Sequence, residues 1–173
     1  MNLIVTCARH FEEDTEHELE TILNDLGDDN PQIATTEFSG ILYVNTKLDP
    51  VDVIKKIREK LEDEPWSIRY TMRAIPVGIM IDTDLQKISE AAITQSKKLK
   101  ASDTYRITIE KRNSEISSGE LITQIANKIP NKVSLKEYDW IVLVEILGTV
   151  TGVSVLKDSD ILSIQREKRG SLE

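Results

Sequence analysis

Thr104-Tyr105-Arg106-Ile107-Thr108-Ile109-Glu110-Lys111, Ser117-Ser118-Gly119-Glu120 and Ile141-Val142-Leu143-Val144-Glu145-Ile146-Leu147 follow one another in the second half of the chain. The first stretch reads as a strand. The second is a capping box, in which a hydroxyl and a carboxylate satisfy orphan amide donors reciprocally. It opens a helix carrying Leu121, Ile122, Ile125, Ala126 and Ile129, which Pro130 ends. The third is apolar on both faces except at Glu145, the pattern of a central strand. Strand, helix, strand in that order predicts a right-handed crossover and a parallel pair.

The flanks extend this reading. Asp84 caps a helix with Leu85, Ile88, Ala91, Ala92 and Leu99. Val133–Leu135 is a short extended piece, and Gly148-Thr149 turns the central strand into Val150–Leu156. The first half reads as β-α-β-β-α-β. Leu3–Ala8 is a strand, and Thr15-Glu16-His17-Glu18 a second capping box, before Leu19, Ile22, Leu23, Leu26 and the helix stop Gly27. Ile33–Phe38 and Ile41–Asn45 flank the turn Ser39-Gly40. Asp49-Pro50 starts a helix with Val53, Ile54, Ile57 and Leu61, and a last strand runs from about Ser67 to Val77. The fold class is α+β / α/β: a ferredoxin-like βαββαβ domain at 1–80, packed on a domain at 81–160 with a mixed, partly parallel sheet. Residues 161–173 read as a basic tail without clear periodicity, and the join near Val77–Asp84 as tight.

Composition narrows the function. The chain has 173 residues, 30 acids and 22 bases, a net charge of −8 and a pI of about 4.9. A pI that low counts against a generic nucleic-acid binder, DNA included. The charge is unevenly spread, however. Residues 1–64 carry 16 acids and 6 bases, whereas 97–136 carry nine bases and four acids. Such asymmetry points to a polyanion-binding part and a solvating or partner-binding part. No apolar run approaches the roughly 20 residues of a membrane span. The start, Met1-Asn2-Leu3-Ile4-Val5-Thr6-Cys7, lacks a basic segment, so a cytoplasmic protein is expected. Glycines are scattered, with no GxGxxG or Walker loop. Cys7 lies on a buried strand, where a thiol serves as a small hydrophobe. Glu13 and His17 are only two candidate ligands, too few for a metal site. No catalytic residue, metal or cofactor is expected.

Three segments carry recognition chemistry. In Arg69–Pro76, Arg69, Thr71 and Arg73 alternate on one strand face, with Tyr70, Met72 and Ala74 on the other. Arg69 and Arg73 either bind phosphate or pair with the acidic helices. At the end of the first quoted strand, Lys111 and Arg112 suit phosphate, and Asn113 a base edge or ribose. Arg106 is expected to pair with the buried Glu145. In Lys128–Lys136, Lys128, Lys132 and Lys136 are spaced to share a rim, although lysines at helix ends, Lys97, Lys98 and Lys100 among them, also follow from the helix dipole. Trp66 and Trp140 could stack on bases, but core packing is the expectation for both.

At these residues the chain resembles the THUMP family, an RNA-binding module of tRNA-modifying enzymes. Tyr105–Arg112, the helix to Ile129, Val133-Ser134-Leu135, Ile141–Ile146 and Val153-Ser154-Val155-Leu156 follow that family's order of elements. The set is similar to stand-alone THUMP adapters of tRNA cytidine acetylation, as is Arg69-Tyr70-x-x-Arg73-x-x-Pro76. The resemblance covers most of 66–157 and is fainter over 1–65. It implies a non-catalytic adapter that binds the tRNA acceptor end and presents tRNA to a separate RNA cytidine acetyltransferase, which makes 4-acetylcytidine in the D-arm. The alternative is a protein-interaction module that docks a partner through its acidic half.

Overall fold

The computed structural model describes residues 2–170. The chain forms two compact units: unit 1 runs to Pro76 and resumes at Ser159, and unit 2 is Val77–Asp158.

Unit 1 has β1 (Leu3–Cys7), α1 (Glu12–Asp25), β2 (Gln32–Thr35), β3 (Ile41–Asn45), α2 (Pro50–Asp63) and β4 (Thr71–Pro76). After unit 2 come a 3-10 turn at Asp158–Asp160, β9 (Leu162–Ser163) and α5 (Ile164–Gly170). Its sheet is ordered β2-β3-β1-β4-β9, with every neighbouring pair antiparallel. Leu3, Val5 and Cys7 alternate onto one face of β1, as a period of two requires. They pack with Leu19, Ile22 and Leu23 of α1 and Val53, Ile54, Ile57 and Leu61 of α2. Cys7 is buried in this core, and burial pushes its thiol above the ordinary range.

Local chemistry explains where the elements begin. Asp49 caps α2 by accepting from Val51 N and Asp52 N at 2.9 and 3.1 Å, with Pro50 in the first turn. The capping box expected at Thr15–Glu18 does not form. α1 starts three residues earlier, at Glu12, and Phe11 provides no side-chain cap. Thr15 is fully buried, and its hydroxyl donates to the Phe11 carbonyl at 2.6 Å. Glu18 accepts instead from the backbone amides of Arg69, Tyr70 and Thr71. The approach to β4 has taken Glu18, while Thr15, inside the helix, bonds one turn back.

Gly40 shows the same precedence of contact over local pattern. It has φ of +78°, and a Cβ there would lie 2.5 Å from the Cys7 carbonyl oxygen. Asp28 is a buried carboxylate joining two loops: it accepts from the Thr46 hydroxyl at 2.6 Å, Lys47 N at 3.1 Å and Asn30 N at 3.1 Å. The Thr46 hydroxyl is the largest influence holding its pKa below the ordinary carboxylate value.

The segment read as a basic tail has structure. Leu162 pairs with Ala74 across the sheet edge and is fully buried, and Ile164 joins the same core. Arg58 of α2 donates Nε to Glu167 at 2.9 Å and Nη2 to the Ile161 carbonyl at 3.3 Å. Its apolar residues, Ile161, Leu162 and Ile164, are too few and too close to reveal a helix or strand period.

Unit 2 has β5 (Ile79–Asp82), α3 (Leu85–Ser96), β6 (Tyr105–Arg112), α4 (Ser118–Lys128), β7 (Trp140–Leu147) and β8 (Val150–Leu156), with sheet order β5-β8-β7-β6. β6 and β7 are parallel, and the other two pairs are antiparallel. The sheet is therefore mixed. Asp84 accepts from Lys87 N, and Ser117 from Glu120 N, at the starts of α3 and α4. Ile88, Ala92, Leu121 and Ile125 pack on Val142, Val144, Val153 and Val155. β5 lies where only a connection was expected. Its four residues pair with Val150–Val153, and so short an edge strand carries little pattern of its own.

Two outcomes test unit 1. Leu162→Ala should destabilise it by about 2–4 kcal/mol in urea unfolding, because it empties a fully buried site. Asp28→Asn should lower the thermal midpoint at neutral pH. A depressed folded pKa gives stability that is present above the unfolded value of about 3.9 and lost as pH falls through the folded value. The gap between wild type and variant should therefore narrow below about pH 4.

Candidate nucleic-acid interface

Parallel strands end together, and β6 and β7 end at Arg112 and Leu147. Beyond them the loop after β6 is fixed by short contacts. Lys111 Nζ donates to the Ile116 carbonyl at 2.9 Å, and Ile116 N donates to Ser114 Oγ at 3.3 Å. Gly148 N donates to the Arg112 carbonyl at 2.9 Å, joining this loop to the β7–β8 turn. Asn113 ends the strand at φ of +51°, in the left-handed region that Asn enters more readily than most residues. Lys111, Arg112 and Asn113 are all exposed.

Beside them is an open depression of about 610 Å³, lined by Asp82, Thr83, Ser114, Glu115, Ile116 and Thr149 together with Gly148. Its exposed lining is more apolar than polar, with Ile116 and Gly148 beside three hydroxyl residues and two carboxylates, of which Asp82 is paired with Lys87 Nζ at 3.2 Å. Carboxylates disfavour phosphate inside. The depression suits uncharged groups, and the cations Lys111 and Arg112 precede its loop in the chain.

The other predicted cations of unit 2 lie at the opposite end of β6. Fully buried Tyr105 anchors that end. Its N–H donates to the Lys132 carbonyl at 3.1 Å, its carbonyl accepts from Ser134 N at 2.9 Å, and its hydroxyl donates to the Ile129 carbonyl at 3.5 Å. Lys128 ends α4, and Lys132 and Lys136 are exposed on the following segment. A strand rises about 3.3 Å per residue, so Tyr105 and Arg112 are roughly 23 Å apart. The six predicted residues of unit 2 thus form two groups, one at each end of a strand.

Arg106 does not take the expected partner. It is in register with Ile141, whereas Glu145 is beside Glu110, four residues further along. That is roughly 13 Å at the strand rise. Arg106 Nη1 donates to the Leu135 carbonyl at 3.3 Å, and its guanidinium lies 5.4 Å from the Tyr138 ring centroid.

Arg69 and Arg73 belong to unit 1. The expected alternation breaks because β4 begins only at Thr71, where the register with β1 also shifts. Arg69 precedes the strand and is exposed, its guanidinium 5.8 Å from the Tyr70 ring, which stacks on Phe11 at 5.7 Å. Glu18 reaches this segment through the main chain. Arg73 is half-buried in β4.

The two tryptophans differ. Trp66 is 72% exposed, contrary to the core position expected for it. Trp140 is half-buried against the unit 2 core and donates Nε1 to Asp103 at 3.0 Å. Lys98 Nζ and Lys157 Nζ lie 5.2 and 5.1 Å from its ring centroid. Neither lysine was singled out as a binding residue. Lys98 belongs to a run that a helix end explains, and Lys157 is isolated in sequence.

Among the described residues no group of three or more His, Cys, Asp or Glu could hold a metal ion, and no helix is long and apolar enough to cross a membrane.

Comparison with known proteins adds the following. Residues 82–156, from the end of β5 through β8, match the model of the THUMP domain. No curated protein matches the chain. Among solved structures, PH1313 from Pyrococcus horikoshii Ot3 is similar at 18% identity and a TM-score of 0.69, over 91% of this chain and 55% of that one. A 4-thiouridine synthetase in complex with RNA and ATP is similar at 10% identity and 0.60, over 94% and 42%. TrmN from Thermus thermophilus is similar at 10% identity and 0.58, over 90% and 45%. The likeness to these three is one of fold, and the chain spans about half the length of each. The THUMP match falls within unit 2, and the loop bearing Lys111, Arg112 and Asn113 lies inside the matched residues.

Proposed function

We propose that this protein is a non-catalytic tRNA-binding adapter working in the cytoplasm, with its THUMP domain seating the acceptor end of tRNA. It presents that tRNA to a separate RNA cytidine acetyltransferase, which forms 4-acetylcytidine in the D-arm. The observation that carries the RNA reading is the THUMP match over residues 82–156, together with exposed Lys111 and Arg112 at the end of β6, next in the chain to a loop that lines an open depression. Those cations would hold phosphate, while the depression takes neutral groups. Lys128, Lys132 and Lys136 would add contacts at the other end of β6, and Asn113 would reach a base edge or ribose. Exposed Arg69, with its flanking rings, and Arg73 are the candidates that unit 1 would contribute. The likeness to an RNA-bound 4-thiouridine synthetase fits this reading at the level of fold. The βαββαβ order and β2-β3-β1-β4 arrangement support reading unit 1 as ferredoxin-like.

The acid excess of residues 1–64 favours a second reading, a protein-interaction module whose acidic half docks a basic partner. The two are compatible, since an adapter needs an RNA face and an enzyme face.

Nucleosides of tRNA from cells lacking the gene should lose 4-acetylcytidine and keep other modifications. Retention of 4-acetylcytidine would refute the adapter role and leave RNA binding open. In vitro, Arg112→Ala should weaken binding of a tRNA transcript and reduce the slope of log affinity against log salt by about one. Arg112 is the cleaner test, because Lys111 also holds its own loop through the Ile116 carbonyl. Unchanged affinity and slope would remove Arg112 from the interface.

A further inference from the structure

We infer that the stacked rings of Phe11 and Tyr70 in unit 1 are a docking point for a basic protein segment, with an arginine of that segment seated on Phe11. This rests on the second reading above, in which the acidic half docks a partner, and deepens it.

The site starts with two rings. Phe11 and Tyr70 stack with centroids 5.7 Å apart and planes inclined at 25°. Phe11 stays 44% exposed although it already has a ring against it. Exposed aromatic surface held in place is the usual anchor of a protein interface. Trp66 and Met72, on either side of Tyr70 in the chain, are exposed too.

Both rings are fixed from α1. Thr15 bonds the Phe11 carbonyl twice, through N at 2.9 Å and Oγ1 at 2.6 Å. Glu18 accepts from Tyr70 N at 3.2 Å and from the amides of the residues before and after it. The residues that read as a capping box therefore hold the ring pair. The start of the helix is locally unfavourable. Phe11 occupies the N-cap position with no side-chain acceptor to offer, and His10 before it has φ of +74°, in the left-handed region. Such backbone persists where the surroundings over-determine it, and it collects at functional sites. A ring pair fixed in advance loses little entropy on binding.

Charge selects the occupant. Residues 9–20 hold six acids and one arginine. Glu12 and Glu18 accept main-chain donors. Asp14, three residues past Phe11, shares its side of the helix and is exposed, as is Glu13. Among the described residues neither Glu13 nor Asp14 has an ion-pair partner. Tyr70 already has the Arg69 guanidinium 5.8 Å from its ring, so the stack has the chemistry for arginine. Phe11 offers that chemistry at the head of an acidic first turn. Phosphate would meet those carboxylates as like charge, whereas a basic protein segment meets complementary charge.

Phe11 lies outside the buried core, so Phe11→Leu and Phe11→Trp should keep the fold, with the thermal midpoint as the check. The probe is a labelled oligo-arginine peptide, and its neutral citrulline counterpart is the control. The full chain should bind the arginine peptide and ignore the citrulline one. Phe11→Leu should weaken arginine-peptide binding roughly three- to fivefold, and Phe11→Trp should bind at least as tightly as wild type, because indole has the strongest cation–π face. Asp14→Asn should weaken it about twofold, with the loss fading at high salt. Phe11→Leu should leave affinity for a tRNA transcript unchanged. Equal peptide affinity in wild type and Phe11→Leu would mean diffuse attraction to acid, which overturns the inference and leaves the acidic-half reading standing. A Phe11→Leu variant that loses tRNA affinity and keeps the peptide would assign the rings to RNA and overturn it as well. Failure of wild type to bind the arginine peptide at low salt would overturn the inference and the acidic-half reading together.

Discussion

The parallel pairing of β6 with β7 is the constraint on which unit 2 depends. Eight successive register pairs, from Tyr105–Trp140 to Arg112–Leu147, fix which residues share an end of the sheet. Parallel strands cannot be joined by a tight turn, so α4 must carry the chain back along the sheet, and its buried Leu121 and Ile125 face the core that β7 helps form. From Ile141 to Leu147 every residue of β7 is buried. Exposed polar chemistry is thereby kept off β7, and the fully exposed residues of β6 are confined to its end at Lys111 and Arg112. Lys111, Arg112 and Asn113 lie at one rim, with Trp140 and its lysines at the other.

The acidity of the chain has a different structural meaning in unit 1. Glu12 accepts from Gly40 N at 2.8 Å, Glu18 gathers three successive amides ahead of β4, and Asp28 joins two loops. These carboxylates act as hydrogen-bond acceptors that position main chain. Backbone N–H groups at loop entries need acceptors, and a carboxylate offers several lone pairs at once. Part of the negative charge therefore belongs to the architecture of unit 1 and is not available to a docking partner.

Elements with their own period were legible in the sequence. α2 and α4 have an amphipathic face and an Asp or Ser cap, and β7 is a long apolar run, so each carries its signal locally. The parallel pair followed from order alone. What escaped depends on distant partners. Thr15 and Glu18 look like a capping box until the fold recruits them elsewhere. β5 is an edge strand of four residues, and Leu162 is identifiable as core only once Ala74 lies beside it. The site behaves likewise. Lys111-Arg112 at a strand end is a contiguous signal, whereas Lys98, Trp140 and Lys157 come from three separate stretches that only the sheet brings together. Arg106 and Glu145 share a strand-face parity, but parity does not measure distance along a ladder.

The return of the chain to unit 1 after unit 2 imposes an order of events on synthesis. β9 and α5 are translated only after all of Val77–Asp158, so β4 emerges long before the strand that covers its edge. Until then nascent unit 1 has Ala74 without Leu162 and Arg58 without Glu167. The intervening segment is continuous and has its own core, so it can collapse while its host is still incomplete. An exposed sheet edge is open to mispairing throughout that interval. Translation speed across unit 2 therefore sets how long the vulnerable edge persists.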